Sequence, residues 1–332
     1  MLSYITKRLA YSIALLFLLT IVVYLIFGLI PIDPARLSCG IHCTPAIVEG
    51  NRHRLGLDIP LWHQWWNFIV GLFQGRNYGE GAALIHCPAP SFGYSFPNNS
   101  CVTQVMADAF PFTFSLAIGA FVLWMLIGVS LGIVAAKNKG TYLDRLSTAF
   151  VLFGSSLPIF VLGLLVYIFA LQFGLINPIN QGSWVSPLTN PFGFFKNFIF
   201  AWITLALAYA AIYTRLTRSN VLETSSEDFI RTARAKGAPE KLILRKHNLR
   251  TALAPLITNA GLDFGGLLGG AIITERVFQL PGLGYISLKA VLRDYDLPLI
   301  MGTTLLAATF FIFFNLVVDV AYSYLDPRVR LK

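Results

Sequence analysis

Three groups of residues in this chain have types and spacings that bear on chemistry. Cys39, Cys43, Cys87 and Cys101 all lie in the first third of the chain, interspersed with His42, His53, His63 and His86. Thiols in such numbers either pair in an oxidising compartment or, with imidazoles, bind zinc as thiolates. The spacing matches no standard zinc knuckle, which favours disulfides. Four cysteines allow three pairings, and Cys39 with Cys43 plus Cys87 with Cys101 is preferred because it closes two local loops. The second group is Asp263, set among Gly261, Gly265, Gly266, Gly269 and Gly270 in an apolar stretch. An acid at membrane depth is costly and faces a cavity or the bundle interior; it is either a pathway residue near a substrate or a hydrogen-bonded acid between helices. The third group is the segment 227–255. Between residues 219 and 250 it carries seven cations against four acids. A charged stretch of this kind fits a partner protein, or else a basic helix on anionic headgroups.

The elements that hold these groups follow from composition. The chain has 332 residues, 56% of them hydrophobic and only 12% charged, where soluble proteins are about a quarter charged. It is an integral membrane protein. A bilayer core takes about 20 apolar residues per helix, and six stretches qualify: 9–30, 113–136, 147–173, 198–214, 252–274 and 299–323. The fourth is short and is expected to continue as a helix past Arg218 toward Glu223. Pro158 lies inside the third span, where a packing kink is expected. Lys7-Arg8 before the first span resembles a secretory leader, but no small-x-small cleavage site follows, so an uncleaved helix is expected.

Cations set the orientation. With both termini cytoplasmic the inside holds 17 of the 25 Lys and Arg residues. The net charge of +9 is then topological and points to lipid contact, not to nucleic acid. Between the first two spans lies a long external region. In it, residues 61–73 form an aromatic-rich stretch suited to a short helix at the membrane surface, and 75–99 reads as an inserted, stapled loop. Gly128, Gly132, Gly154 and Gly163 let helices approach closely in lipid. No phosphate-cradling loop, nucleophile elbow or HExxH helix is present. Any ATP used must be bound by another chain, and the chain is not expected to be an enzyme or to bind a cofactor or metal.

Within the charged segment, Gly237-Ala238-Pro239 separates two short helices. In the second, Leu242, Leu249 and Leu253 form a narrow apolar stripe flanked by Arg245 and Lys246, suited to a groove on a partner.

The run Phe229-Ile230-Arg231-Thr232-Ala233-Arg234-Ala235-Lys236-Gly237, with His247-Asn248-Leu249-Arg250-Thr251-Ala252-Leu253-Ala254-Pro255, resembles the ATPase-docking signature of ABC importer permeases. The form is that of the dipeptide, oligopeptide and nickel permease branch. Phe92-Gly93-Tyr94-Ser95, Leu143-Asp144-Arg145, Ser156-x-Pro158-x-Phe160, Glu275-x-Val277-Phe278-x-x-Pro281-Gly282-Leu283-Gly284 and Leu325-Asp326-Pro327-Arg328 extend the likeness over nearly the whole length. The enlarged cysteine-bearing loop, Asp263 and the segment 174–197 depart from the branch.

The resemblance implies an all-α, six-helix permease of the type I importer fold, with a large external loop after helix 1 and coupling helices between helices 4 and 5. It implies a first helix in 1–30, an external loop in 31–112, a core in 113–323 with a docking loop at 215–251, and a cytoplasmic tail in 324–332. Asp228, Arg231, Ala233, Gly237, Leu242, His247 and Leu249 would dock an ATPase; Asp263, Glu275, Phe278, Pro281 and Gly282 would form pathway or gate. The gate rests on a tight turn at Pro281-Gly282. Partners implied are a second related permease, two cytoplasmic ATPase subunits carrying ATP and Mg, and an external binding protein delivering a peptide to this inner-membrane chain. The alternatives are a nickel, metal-chelate or other small-solute permease and, from another class, an ion-coupled carrier using Asp263.

Overall fold

The computed structural model describes residues 2–29, 34–37, 44–78, 84–176 and 183–325; Cys39, Cys43, His42 and the tail from 326 onward lie outside them. In chain order the helices α1 (Leu2–Leu29), α2 (Pro34–Leu37), α3 (Pro45–Leu55) and α4 (Leu61–Gln74) come first. Two small hairpins follow, β1 (Arg76–Tyr78) with β2 (Ile85–Cys87), and β3 (Tyr94–Ser95) with β4 (Ser100–Cys101). Then come α5 (Val102–Lys137), α6 (Tyr142–Ser156), α7 (Ile159–Gln172) and α8 (Pro191–Ser225). The charged segment holds α9 (Asp228–Ala235), α10 (Glu240–Leu242) and α11 (Leu249–Ala252), and the chain goes on through α12 (Ala254–Leu268), α13 (Ile272–Val277), α14 (Leu283–Lys289) and α15 (Leu297–Leu325).

Among the described residues four helices are long and apolar enough to cross a membrane: Thr6–Ile26, Val102–Lys137, Pro191–Ser225 and Leu297–Val320. The expected third span is not one rod. It is the pair α6 and α7, bent by 99° at Leu157 and Pro158, and counted together they make a fifth candidate. Leu157 has φ −97° and ψ 128°, the extended geometry forced on a residue before proline, and the proline lacks the N–H a continuous helix needs. The expected fifth span also stops early. α12 has 15 residues and ends at Gly269-Gly270, where Gly270 takes φ +117° and a Cβ would meet the Gly284 nitrogen at 2.5 Å. Only glycine fits both conditions.

The chain divides into two units. The first takes Met1–Thr113, Gly269–Ile272 and Pro281–Ile312. Here α4 is the aromatic helix expected from the sequence. Phe68 buries with Val23, Met301 and Leu305, the Trp65 indole donates to Thr20 Oγ1 at 2.9 Å, and Trp62 and Trp66 stay exposed. Cys87 on β2 and Cys101 on β4 are joined as a disulfide with Cα atoms 5.6 Å apart, the pairing expected. Val102, Met106, Ala109, Leu283, Leu299 and Ile300 form a second apolar cluster.

The second unit takes Phe114–Leu268, Ile273–Leu280 and Phe313–Lys332, and α8 runs through its centre. Its glycine neighbours allow close approach. A Cβ on Gly128 would lie 2.7 Å from that of Tyr213, one on Gly132 2.4 Å from that of Thr217, and one on Gly154 2.7 Å from that of Ala211. Without a hydrophobic drive between helices in lipid, such backbone proximity is what holds them. α8 continues without a break past Arg218 to Ser225, as its sequence implies.

Candidate functional site

α9 starts after Glu227 and is anchored by one side chain, the fully buried Ile230. Its other faces are open: Asp228, Phe229, Arg231, Arg234 and Lys236 are exposed, and Ala233 is half-buried. Gly237 ends the turn at φ +78° with no heavy atom within 4 Å of a notional Cβ. Backbone conformation, not crowding, therefore demands glycine there. Pro239 then caps the following helix. Across this turn the Arg234 guanidinium grips Glu240, Nε to Oε1 at 2.5 Å and Nη2 to Oε2 at 3.2 Å. That pairing holds the Glu240 carboxyl below its usual range and raises Arg234.

The second helix differs from expectation in register. Between α10 and α11 the backbone widens into a π-helical stretch, Ile243–Asn248. One extra residue per turn rotates all that follows. The buried face is Ile243, Asn248 and Ala252, not the stripe through Leu242; Leu242 is 46% exposed, while Leu249 packs against the cluster of Ala136, Val221 and Ala252 and Leu253 is half-buried. Asn248, which the sequence reading did not single out, is the pin. It is 3% exposed, and its Nδ2 donates to the Val221 carbonyl at 3.1 Å and to Ser225 Oγ at 2.5 Å, both on α8. Asn220 of α8 returns a bond to the Ala252 carbonyl at 3.2 Å. The residues expected to dock an ATPase are thus brought together on a loop whose inner side is tied to the end of α8 and whose outer side is exposed. His247 lies half-buried at its edge.

The pathway candidates do not gather at one point. Asp263, half-buried on α12, accepts a hydrogen bond from the Tyr213 hydroxyl of α8 at 2.6 Å, beside the stacked pair Trp124 and Tyr209. That bond joins α8 to α12. Glu275 and Phe278 are fully buried, and Phe278 meets Tyr167 edge-on at 5.7 Å. The tight turn expected at Pro281-Gly282 falls instead at Phe278-Gln279. Gln279 has φ +54°, Leu280 N–H donates to the Glu275 carbonyl at 2.9 Å, and Gln279 N–H donates to that of Arg276 at 3.4 Å. This is a Schellman closure of α13, with Gln279 in the place glycine usually takes. Gly282 is extended and leads from Pro281 into α14.

In the first unit Asp296 is a second residue missed from sequence. It is 4% exposed; Ser95 Oγ and the Leu299 N–H donate to it, and burial lifts its carboxyl to about 6. A metal reading of the nearby thiols fails at Cys87 and Cys101, whose sulfurs are spent on each other. His86 bonds Asn77 and His53 bonds Asp58.

The described chain is mostly helical, with apolar spans and one charged loop between α8 and α12. The fold is that of ABC importer permeases: a chain of the MetNI methionine ABC transporter, solved in an inward-facing conformation, superposes with a TM-score of 0.55 over 68% of this chain and 97% of its own, at 19% identity. Residues 128–331 match the binding-protein-dependent transport system inner membrane components, and residues 1–117 match the N-terminal part of such membrane components. The glutathione transport system permease protein GsiC is 38% identical over the full length of both chains, in Shigella boydii serotype 4 (strain Sb227) and in Escherichia coli (strain K12) alike. The chain belongs to this family of inner-membrane components. It is a multi-pass permease subunit of an ATP-driven importer.

Proposed function

We propose that the chain forms half of a pathway for short peptides handed over by an external binding protein. The observation that carries this is the 38% identity, end to end, to permeases of glutathione transport systems, since glutathione is itself a small peptide. A second, related permease supplies the other half, and two cytoplasmic ATPase subunits dock on the exposed face of α9 and the helix after Gly237. ATP bound between those subunits favours one state of the spans over the other, which is the differential affinity that switching requires. This chain performs no covalent chemistry; ATP and Mg sit on its partners.

Both termini are cytoplasmic in this reading, and α12 with α13 completes a sixth span. The boundaries at 30, 112 and 323 and the docking loop 215–251 follow. Asp263 and the stretch from Glu275 through Phe278 to Pro281 and Gly282 line or gate the path. Nickel and metal chelates are the competing cargo. The test is uptake into proteoliposomes holding the whole complex and its binding protein. Labelled glutathione should accumulate with ATP and be competed by unlabelled di- and tripeptides; competition by nickel chelates alone would transfer the assignment to metal. Asp263→Asn should keep ATP-driven uptake, whereas an ion-coupled carrier would lose it.

A further inference from the structure

A half-open cavity lies between α6 and α8. Both helices offer it an i, i+1, i+4, i+5 face, and they run antiparallel: Asp144 meets Arg218 near one end, and Gly154 meets Ala211 farther along. In that register Ser147 and Thr148 of α6 lie toward Arg218 and Ser219 of α8, and Val151 and Leu152 lie toward Thr214 and Arg215. The cavity therefore sets an apolar wall on α6 beside cationic and hydroxyl groups on α8.

Its charges are not balanced. Asp144 takes Arg218 in a two-pronged pair, at 2.7 and 2.9 Å, and that acid also accepts from the Gly140 N–H. Arg215 is exposed and has no hydrogen-bond or ion-pair partner among the described residues. A hydroxyl is also unused. Thr214 is 1% exposed, lines the cavity, and its Oγ1 has no partner. A buried hydroxyl left unpaired costs about 1–3 kcal/mol, so this site is built for a polar group that the chain itself does not supply. On the same two helices Leu146, Leu152, Phe153 and Ile212 are all exposed.

We infer that this cavity binds one anionic phospholipid, its phosphodiester on Arg215 and the hydroxyls of Thr214, Ser147 and Thr148, and an acyl chain along Val151 and Leu152. A guanidinium with spare donors matches a phosphate. Basic pockets between spanning helices hold anionic headgroups by this means. The apolar wall is what separates a lipid from free phosphate, which has nothing to place there.

The test is native mass spectrometry of the intact complex, titrated with phosphatidylglycerol and, separately, with phosphatidylcholine. Phosphatidylglycerol should be retained preferentially. Arg215→Gln should weaken its apparent affinity about tenfold, the loss of one charge-assisted contact, and Thr214→Val should weaken it less. Excess inorganic phosphate should not displace the lipid. Equal retention of the two lipids, or no change in Arg215→Gln, would overturn the assignment. Displacement by phosphate alone would also overturn it, making this a free-anion site. Arg215 is exposed, so its replacement leaves the fold intact, and Arg215→Lys should restore most of the preference. The readout is lipid retention and not transport, so it stands or falls apart from the peptide assignment.

Discussion

In the two short hairpins the chain is tied down, with β2 and β4 joined by Cys87–Cys101 and Ser95 donating to a carboxyl, Asp296, that is 4% exposed. In the charged loop the comparable carboxylate, Glu240, is 69% exposed and is held only by Arg234. Burial raises Asp296 and a guanidinium lowers Glu240, so the two regions respond to pH with opposite sign. One is a rigid surface whose order comes from covalent and desolvated contacts. The other is a lever fixed on its inner side by Asn248 and left open on its outer side.

The largest way to break that contrast is to remove the disulfide. Replacing Cys87 and Cys101 by serine frees a loop of separation 14, which should cost the hairpin region about 3 kcal/mol. Protection of residues 85–101 from hydrogen exchange should fall, with the 228–252 loop unchanged. Next comes acid. The folded value of Asp296 lies above its unfolded one, so the folded state keeps its proton longer and stability declines as pH rises from about 4 to about 6. The change is on the order of 3 kcal/mol, and Asp296→Asn should flatten it in thermal melts at graded pH.

On the lever, Asn248→Leu removes both bonds that its Nδ2 gives to the Val221 carbonyl and Ser225 Oγ and should cost about 2 kcal/mol. Hydrogen exchange over 240–252 should rise, and uptake should fall further than ATP hydrolysis. Gly237→Ala should cost about 1 kcal/mol, all of it backbone strain. The smallest effect is that of Arg234→Gln. Glu240 has its folded value below its unfolded one, so its contribution is present above the unfolded value and fades as pH falls; the variant should remove that acid sensitivity and leave neutral-pH melting almost unchanged.

Much of the lever was legible because its signals are local. Gly237 and Pro239 punctuate the helices, α8 continues past Arg218 for want of a breaker, and Cys87 with Cys101 is the short-range choice. What escaped is longer in range or finer in pitch. The pair of Ser95 and Asp296 is separated by 201 positions, and strands of two or three residues are too short to show alternation. The π-helical stretch at Ile243–Asn248 breaks the 3.6 period on which the Leu242 stripe rested, burying Asn248 instead. At Pro158 the proline was visible but not the angle, since a kink and a near right-angle bend share one sequence signal. At Gly269-Gly270 apolar composition ran on while the helix stopped, because hydropathy does not register a close approach such as that of Gly270 to Gly284.

Assembly tests the central claim most directly. Native mass spectrometry of the chain co-expressed with its genomic neighbours should find one copy of it, one related permease and two ATPase subunits. The double variant Phe229→Asp, Arg231→Glu on the exposed face of α9 should lose the ATPase from its own side while keeping the second permease. An ATPase still fully retained by that variant, or a wild-type chain that never captures one, would contradict the assignment of α9 as the docking face.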